Sequence, residues 1–388
     1  MLLKLRKFVL VFFLFVFSIV FVLLVVEFGS RGLLLLFPEL KYKSHIEFRK
    51  SVPAPYSDSD YDVKSFIDES YNLPGWDTPL NSRLLIPRNF QGRYISIDKG
   101  VRHTTDQPST FDNVIYVFGG STIFNNEVPD RYTVTSFLQR LVNDNSSKRY
   151  KVENYGATSV VSSQELERLK LIQLQKGDMV IFFNGANDSY ISIYNRDPDG
   201  WIVGEINNIL FEKDWLSNFL VKIHTKLKSY SIFVSVFLSP YDYRYEPTHL
   251  RDHQEVEALA IKMRAKFVRN ISEAANYTIA SKANFFHFLQ PTLFTVKQPS
   301  LYEYQLRKNS YLISAGIDKT LIEGYKALTP AIEELKRDYG VLSFDITNIF
   351  DKRPSGEEFF LDWVHVTEKG NEVIANAIFE KIKSRLLR

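Results

Sequence analysis

Cysteine is absent from all 388 residues. Its absence excludes disulfide bonds, thiolate metal sites and cysteine nucleophiles, without fixing a redox compartment. Long blocks of like charge are missing too. The formal net charge is only +3, and Lys and Arg do not cluster as they do along a nucleic-acid footprint. A nucleic-acid partner is therefore set aside. No internal repeat or low-complexity tract interrupts the chain. Nor does a small-residue cleavage site follow the first apolar run, because Glu27-Phe28-Gly29-Ser30-Arg31 offers no Ala-x-Ala pattern.

What is present begins with that run. Residues 8–26, Phe8 to Val26, are apolar except for Ser18, close to the roughly 20 residues that cross a bilayer as a helix. An uncleaved transmembrane anchor is expected. Lys4, Arg6 and Lys7 crowd the leading end while Arg31 alone follows closely, so residues 1–7 should stay cytoplasmic and the remainder be exported, to a periplasmic or extracellular side. An apolar content of 45% is ample for a core, and the length suits one large α/β domain with an added segment.

Residues 27–113 are rich in Pro, Ser, Tyr and charge, and read as a stalk and an irregular N-terminal cover. From Val114 the pattern changes. Buried strands are expected at 114–118, 150–154, 179–183, 284–289 and 341–346, with helices at 133–142, 162–174, 255–275, 317–338 and from Thr367 to Ile382. This alternation predicts a parallel sheet of about five strands covered by helices on both faces. Trp215 to Leu238 reads as one helix, or a helix and a strand. Its Lys222, His224, Lys226 and Lys228 argue against a second membrane span.

The chemistry-bearing residues lie at strand ends. Asp362-Trp363-Val364-His365 puts a carboxylate three residues before an imidazole, a spacing that brings both to one face of a helical turn. Far upstream, Gly119-Gly120-Ser121-Thr122 ends an apolar run with two glycines and a hydroxyl residue. Asn154-Tyr155-Gly156 and Asn184-Gly185-Ala186-Asn187-Asp188 close two further strands. Loops after successive parallel strands meet along one edge, so Ser121, Gly156 and Asn187 should converge there. Backbone N–H groups of Ser121 and Gly156 and the Asn187 amide would then supply oxyanion donors.

Ser121, Gly156, Asn187 and His365 stand in the order and spacing of the SGNH family, also called GDSL-type esterases and lipases, and Asp362 fits its Asp-x-x-His block. The resemblance runs from Val114 to the C-terminus, residues 114–388, with an insertion at about 190–283. It departs at the first block, where Gly119-Gly120-Ser121-Thr122 replaces Gly-Asp-Ser-Leu. The aspartate so lost is not a triad member. The resemblance implies a flavodoxin-like three-layer α/β/α fold and hydrolysis or transfer of acyl groups, often acetyl groups on carbohydrate. His365 would take the Ser121 proton and Asp362 would orient His365. No metal or organic cofactor is required, and the expected partner is an acylated small molecule or glycan.

Other features have plainer readings. His249 and His253 are expected at a solvated helix end rather than on a metal, and His287 in the core or at a sheet edge. Gln290-Pro291 fits strand termination as well as a pocket role. Tyr241, Tyr243 and Tyr245 fit a packed loop better than a sugar platform. Two rival functions stay open: a non-catalytic glycan-binding partner in envelope polysaccharide assembly, and a cytoplasm-facing lipid esterase.

Overall fold

The computed structural model describes residues 2–36, 60–79, 82–197, 248–308, 316–352 and 357–386. Trp215–Leu238 and the Tyr241, Tyr243 and Tyr245 cluster lie outside them. The chain divides into two units, Met1–Glu47 with Glu205–Tyr243 and Phe48–Gly204 with Arg244–Arg388.

In the first unit the described residues form α1 (Leu2–Leu36). Within it the 23 residues Leu10–Gly32 are long and apolar enough to cross a membrane. Without water, the backbone must satisfy its own polar groups, and a helix does so within one segment. The helix continues ten residues beyond the expected end at Val26, and Glu27 and Arg31 pair one turn apart at 2.9 Å within it.

The second unit opens with α2 (Val63–Tyr71), capped by the Asp62 carboxylate on Ser65 N–H at 3.2 Å. The short strands β1 (Trp76–Asp77) and β2 (Ile86–Pro87) pair antiparallel. A meander follows: β3 (Phe90–Gln91), β4 (Ser96–Asp98) and β5 (Val101–Arg102). The main α/β alternation then runs β6 (Asn113–Gly119), α3 (Ser121–Phe124), α4 (Val134–Asn145), β7 (Tyr150–Asn154), α5 (Ser162–Leu169), β8 (Met179–Asn184) and α6 (Ala186–Tyr194). It finishes with α7 (His253–Ala280), β9 (Asn284–Leu289), α8 (Leu301–Arg307), α9 (Ile317–Tyr339), β10 (Ser343–Asp345) and α10 (Glu368–Leu386).

Eight strands form one sheet in the order β10-β9-β8-β6-β7-β5-β4-β3. From β10 to β7 every pairing is parallel, which gives five parallel strands in the flavodoxin-like 2-1-3-4-5 order. Register is set by apolar residues facing one another, such as Ile115↔Val152, Ile181↔Phe286 and Phe118↔Phe182. Successive side chains on a strand point to opposite faces. Val114, Tyr116 and Phe118 therefore join one core with α5, α6, α7 and α9, while Ile115 and Val117 join a second with α4 and α10. The result is the three-layer α/β/α fold. Each fully buried Phe or Ile in these layers contributes about 1.5–3 kcal/mol.

Two features differ from the sequence reading. Residues 90–102, expected as irregular cover, add three antiparallel strands beyond β7, with Arg102 opposite Asn154. Strands of two or three residues carry no alternation to read, yet they continue the sheet past β7, meeting its last residue Asn154. The helix expected at 255–275 is present as α7, but it is the crossover helix between β8 and β9, with Met263, Phe267 and Ile271 in the core, so that part of 190–283 belongs to the fold and not to an insertion. Nearby, His249 is buried with Nε2 3.1 Å from the Ile193 carbonyl, so it is not a solvated helix end, whereas His253 is exposed.

Candidate active site

Strand order reverses at β6, and clefts in open α/β sheets form at the carboxyl ends of strands around such a point. Ser121 follows β6, Asn187 follows β8 and Gly156 follows β7, so the fold brings all three loops to one edge. Close packing there demands glycine. A Cβ on Gly119 would lie 2.6 Å from the Phe183 carbonyl oxygen, and one on Gly120 would lie 2.4 Å from Asn187 Nδ2.

Ser121 begins a helix of only four residues, too short to persist by its own hydrogen bonds. Side chains from elsewhere hold it. Asn125 ends it in the left-handed conformation (φ 65°), and its amide donates to Asn371 Oδ1 of α10 at 2.8 Å. Asn154 at the end of β7 donates to the Ile123 carbonyl at 2.7 Å. Arg102, arriving from the antiparallel edge, is fully buried. Its guanidinium donates to the carbonyls of Phe124, Asn125 and Val128 and pairs with Asp130 at 2.9 Å. Burial raises the Asp130 pKa, and Arg102 opposes that rise. Sequence reasoning missed Arg102, Asn125 and Asn371, and nothing local to them marks the role.

His365 and Asp362, expected as base and orienting acid, come from the loop before α10. His365 Nε2 lies 2.8 Å from Ser121 Oγ, and Nδ1 lies 2.7 Å from Asp362 Oδ2. An ionised carboxylate only accepts, so with Asp362 ionised Nδ1 carries the hydrogen and Nε2 accepts from the serine hydroxyl. The expected helical turn between Asp362 and His365 is absent. Instead Asp362 Oδ1 accepts the N–H groups of Val364 (2.9 Å) and His365 (2.7 Å), an Asx-type turn that makes the same i to i+3 contact. Buried Glu303 on α8 steadies the approach by accepting from the N–H groups of Phe359 (2.9 Å) and Phe360 (3.2 Å).

The expected oxyanion donors divide. Ser121, as first residue of its helix, has an N–H with no partner inside that helix. Asn187 Nδ2, packed against Gly120, donates one of its two hydrogens to the Val160 carbonyl at 2.9 Å. Gly156 is different. It packs on the Ser121 helix so closely that a Cβ would stand 2.2 Å from Phe124 N, but its N–H donates to Asn154 Oδ1 at 3.0 Å. The structure thus brings Gly156 to the site with its expected donor already engaged.

Behind the Ser121 and Asn187 loops lies a buried polar chain. His287 Nε2 is 3.0 Å from Asn184 Oδ1 and Nδ1 is 2.6 Å from Ser343 Oγ, so the imidazole is a neutral core residue; burial lowers its pKa to about 3. Asn184 Nδ2 donates to Glu165, and Asp188 Oδ1 accepts from Ser162 N (3.0 Å) and Oγ (2.6 Å). Burial raises the Asp188 pKa to about 6, and raises that of Glu165, which also faces the Asp188 charge. Gln290 ends its strand, its N–H on the Asn184 carbonyl at 3.0 Å and its own carbonyl accepting from Tyr325 at 2.8 Å.

No family model matches this chain, and no curated sequence matches it. Solved structures similar to it include a lipase/acylhydrolase from Enterococcus faecalis, 13% identical with a TM-score of 0.38 over 71% of this chain and 97% of that one. The acetylxylan esterase Axe2 from Geobacillus stearothermophilus is 13% identical, with a TM-score of 0.37 over 71% and 96% of the two chains. The psychrotrophic esterase EstA from Pseudoalteromonas sp. is 12% identical, with a TM-score of 0.36 over 71% and 99%. The sheet order and the helical layers are those of the flavodoxin-like three-layer fold expected from the sequence.

Proposed function

We propose that the chain is a membrane-anchored serine esterase or acyltransferase acting on ester-linked acyl groups, with acetyl groups of a cell-surface glycan as the substrate class. The observation that carries this reading is the unbroken relay from Asp362 through His365 to Ser121 Oγ, with links of 2.7 and 2.8 Å. His365 Nε2 takes the serine proton as Oγ attacks the carbonyl carbon. Asp362 holds the imidazolium that results.

Ser121 N–H and Asn187 Nδ2–H receive the oxyanion, and Gly156 N–H joins them only by exchanging Asn154 Oδ1 for it. The alcohol leaves with the proton from His365. Water then releases the acid, or a sugar hydroxyl takes the acyl group by the same path in reverse. Helix α1 would anchor the protein with its basic end in the cytoplasm, which exports the site to where surface glycans are acylated.

The direct test is a fluorophosphonate probe followed by peptide mapping. Labelling at Ser121 that vanishes in Ser121→Ala supports the nucleophile, whereas a wild type that resists the probe while binding glycan favours a non-catalytic platform. Acetate release from an O-acetylated polysaccharide, measured beside p-nitrophenyl acetate turnover, tests the substrate class. Alkaline phosphatase fused after residue 40 tests export: an inactive fusion would place the site on the cytoplasmic side and favour a lipid esterase.

A further inference from the structure

We propose that Glu127 is a second carboxylate of the relay, a positioning residue that holds the protonated form of His365 jointly with Asp362; this rests on the serine-hydrolase reading above. Glu127 Oε1 lies 3.7 Å from His365 Nδ1, on the nitrogen that already donates to Asp362 Oδ2 at 2.7 Å. The longer distance exceeds a hydrogen bond, so Glu127 acts as a charge. Screening is weak because the Glu127 and His365 side chains are only 7% and 14% exposed.

Position in the chain adds weight. Glu127 sits six residues after Ser121 on the loop that Arg102 fixes through the Val128 carbonyl at 2.7 Å. The loop bearing the nucleophile therefore also delivers negative charge to the base. Charges on the surrounding elements are engaged as follows. Asp130 pairs with Arg102 and feels His103, and Glu303 holds Phe359 and Phe360. At the start of α10, Lys369 pairs with Glu357 and Glu368 acts on Tyr132; behind Asn187, Asp188 and Glu165 bind Ser162 and Asn184.

When Ser121 gives up its proton, the imidazolium formed is met by two carboxylates instead of one. An opposite charge within about 4–6 Å favours the protonated form by about one pH unit or more. A buried acid with a merely structural role would leave the His365 titration where it is.

The test uses the full chain in detergent micelles with 13C-labelled histidine, the His365 signal being identified by its loss in His365→Gln. In Glu127→Gln the His365 midpoint should fall by about one pH unit, and the acid limb of kcat/KM for p-nitrophenyl acetate should move to lower pH by the same amount. A midpoint unchanged from wild type overturns the proposal. Because the resonance reads the imidazole and not turnover, a chain that cleaves no ester would sink the serine-hydrolase reading while the titration still decides the role of Glu127. If Glu127→Gln does not fold, Glu127→Asp carries the test: it keeps the charge but withdraws it, so a smaller shift of the same sign is expected and no shift overturns the proposal.

Discussion

Replacing Arg102 by methionine tests whether the Ser121 helix is held from the antiparallel edge of the sheet. The substitution keeps an unbranched apolar stem and removes a guanidinium that serves three carbonyls and Asp130 in a fully buried position. Breaking one partner out of a buried ion pair costs about 3–5 kcal/mol, chiefly because the other charge stays buried. At about 2.1 cal/mol/K per residue, a unit of about 300 residues loses about 1.6 °C of Tm per kcal/mol, so Arg102→Met should melt roughly 5–8 °C below wild type. The assay is tryptophan fluorescence melting of the full chain in detergent.

Asp130 supplies an internal control. Its carboxyl pKa is already raised by burial, and Arg102 opposes the rise. Without Arg102 the folded pKa climbs further above the unfolded value, and stability from a raised carboxyl pKa is lost as pH rises through it. The deficit of Arg102→Met should therefore be larger at pH 7 than at pH 5. Adding Asp130→Asn removes the orphaned charge, and the double variant should recover part of the loss, a coupling of about 1–3 kcal/mol. Melting within about 2 °C of wild type, or strictly additive losses in the double variant, would refute the account of Arg102 as the brace of the Ser121 helix.

Further outcomes follow from the same geometry. Asn187→Ala should lower kcat by about 10²–10³-fold with little change in KM, because an oxyanion donor acts chiefly in the transition state; an unchanged kcat in steady-state ester hydrolysis would remove Asn187 from that role. In Gly156→Ala the new methyl must displace the Phe124 backbone that it meets at 2.2 Å, for an overpacking cost of about 1–3 kcal/mol readable in urea denaturation. His287 is kept neutral with a pKa near 3 against 6.5 outside the fold, so as pH drops below 6.5 the unfolded chain binds a proton that the native state refuses. The stability advantage of wild type over His287→Gln should then shrink by about 2 kcal/mol between pH 7 and pH 5, and a constant gap would refute the burial argument. Asp188, with its raised pKa, titrates in the opposite sense, but it does so in both proteins and cancels from the comparison.

What the sequence disclosed and what it withheld follow from the range over which each signal acts. β6 and β8 are almost wholly apolar and β9 is interrupted only by His287, because both faces are buried, so Val114–Phe118, Met179–Phe183 and Asn284–Leu289 were legible within one residue at either end. Once those strands are parallel and adjacent, the placing of Ser121 and Asn187 follows from chain direction alone. The Asp362–His365 contact was foreseen through the wrong conformation. A helical turn and an Asx turn both close i to i+3, so spacing reports proximity without reporting backbone shape.

Arg102 left no such trace, because its partners lie 22 to 28 residues further on and its strand has two residues. Gly156 shows the converse: its residue type pointed to the site, yet its N–H is spent on Asn154, two positions back. Residues that chemistry requires sit where topology puts strand ends, which a pattern of apolar runs encodes. Residues that hold the chemistry rigid are chosen by long-range polar satisfaction of a buried four-residue helix, and only the assembled sheet defines that need.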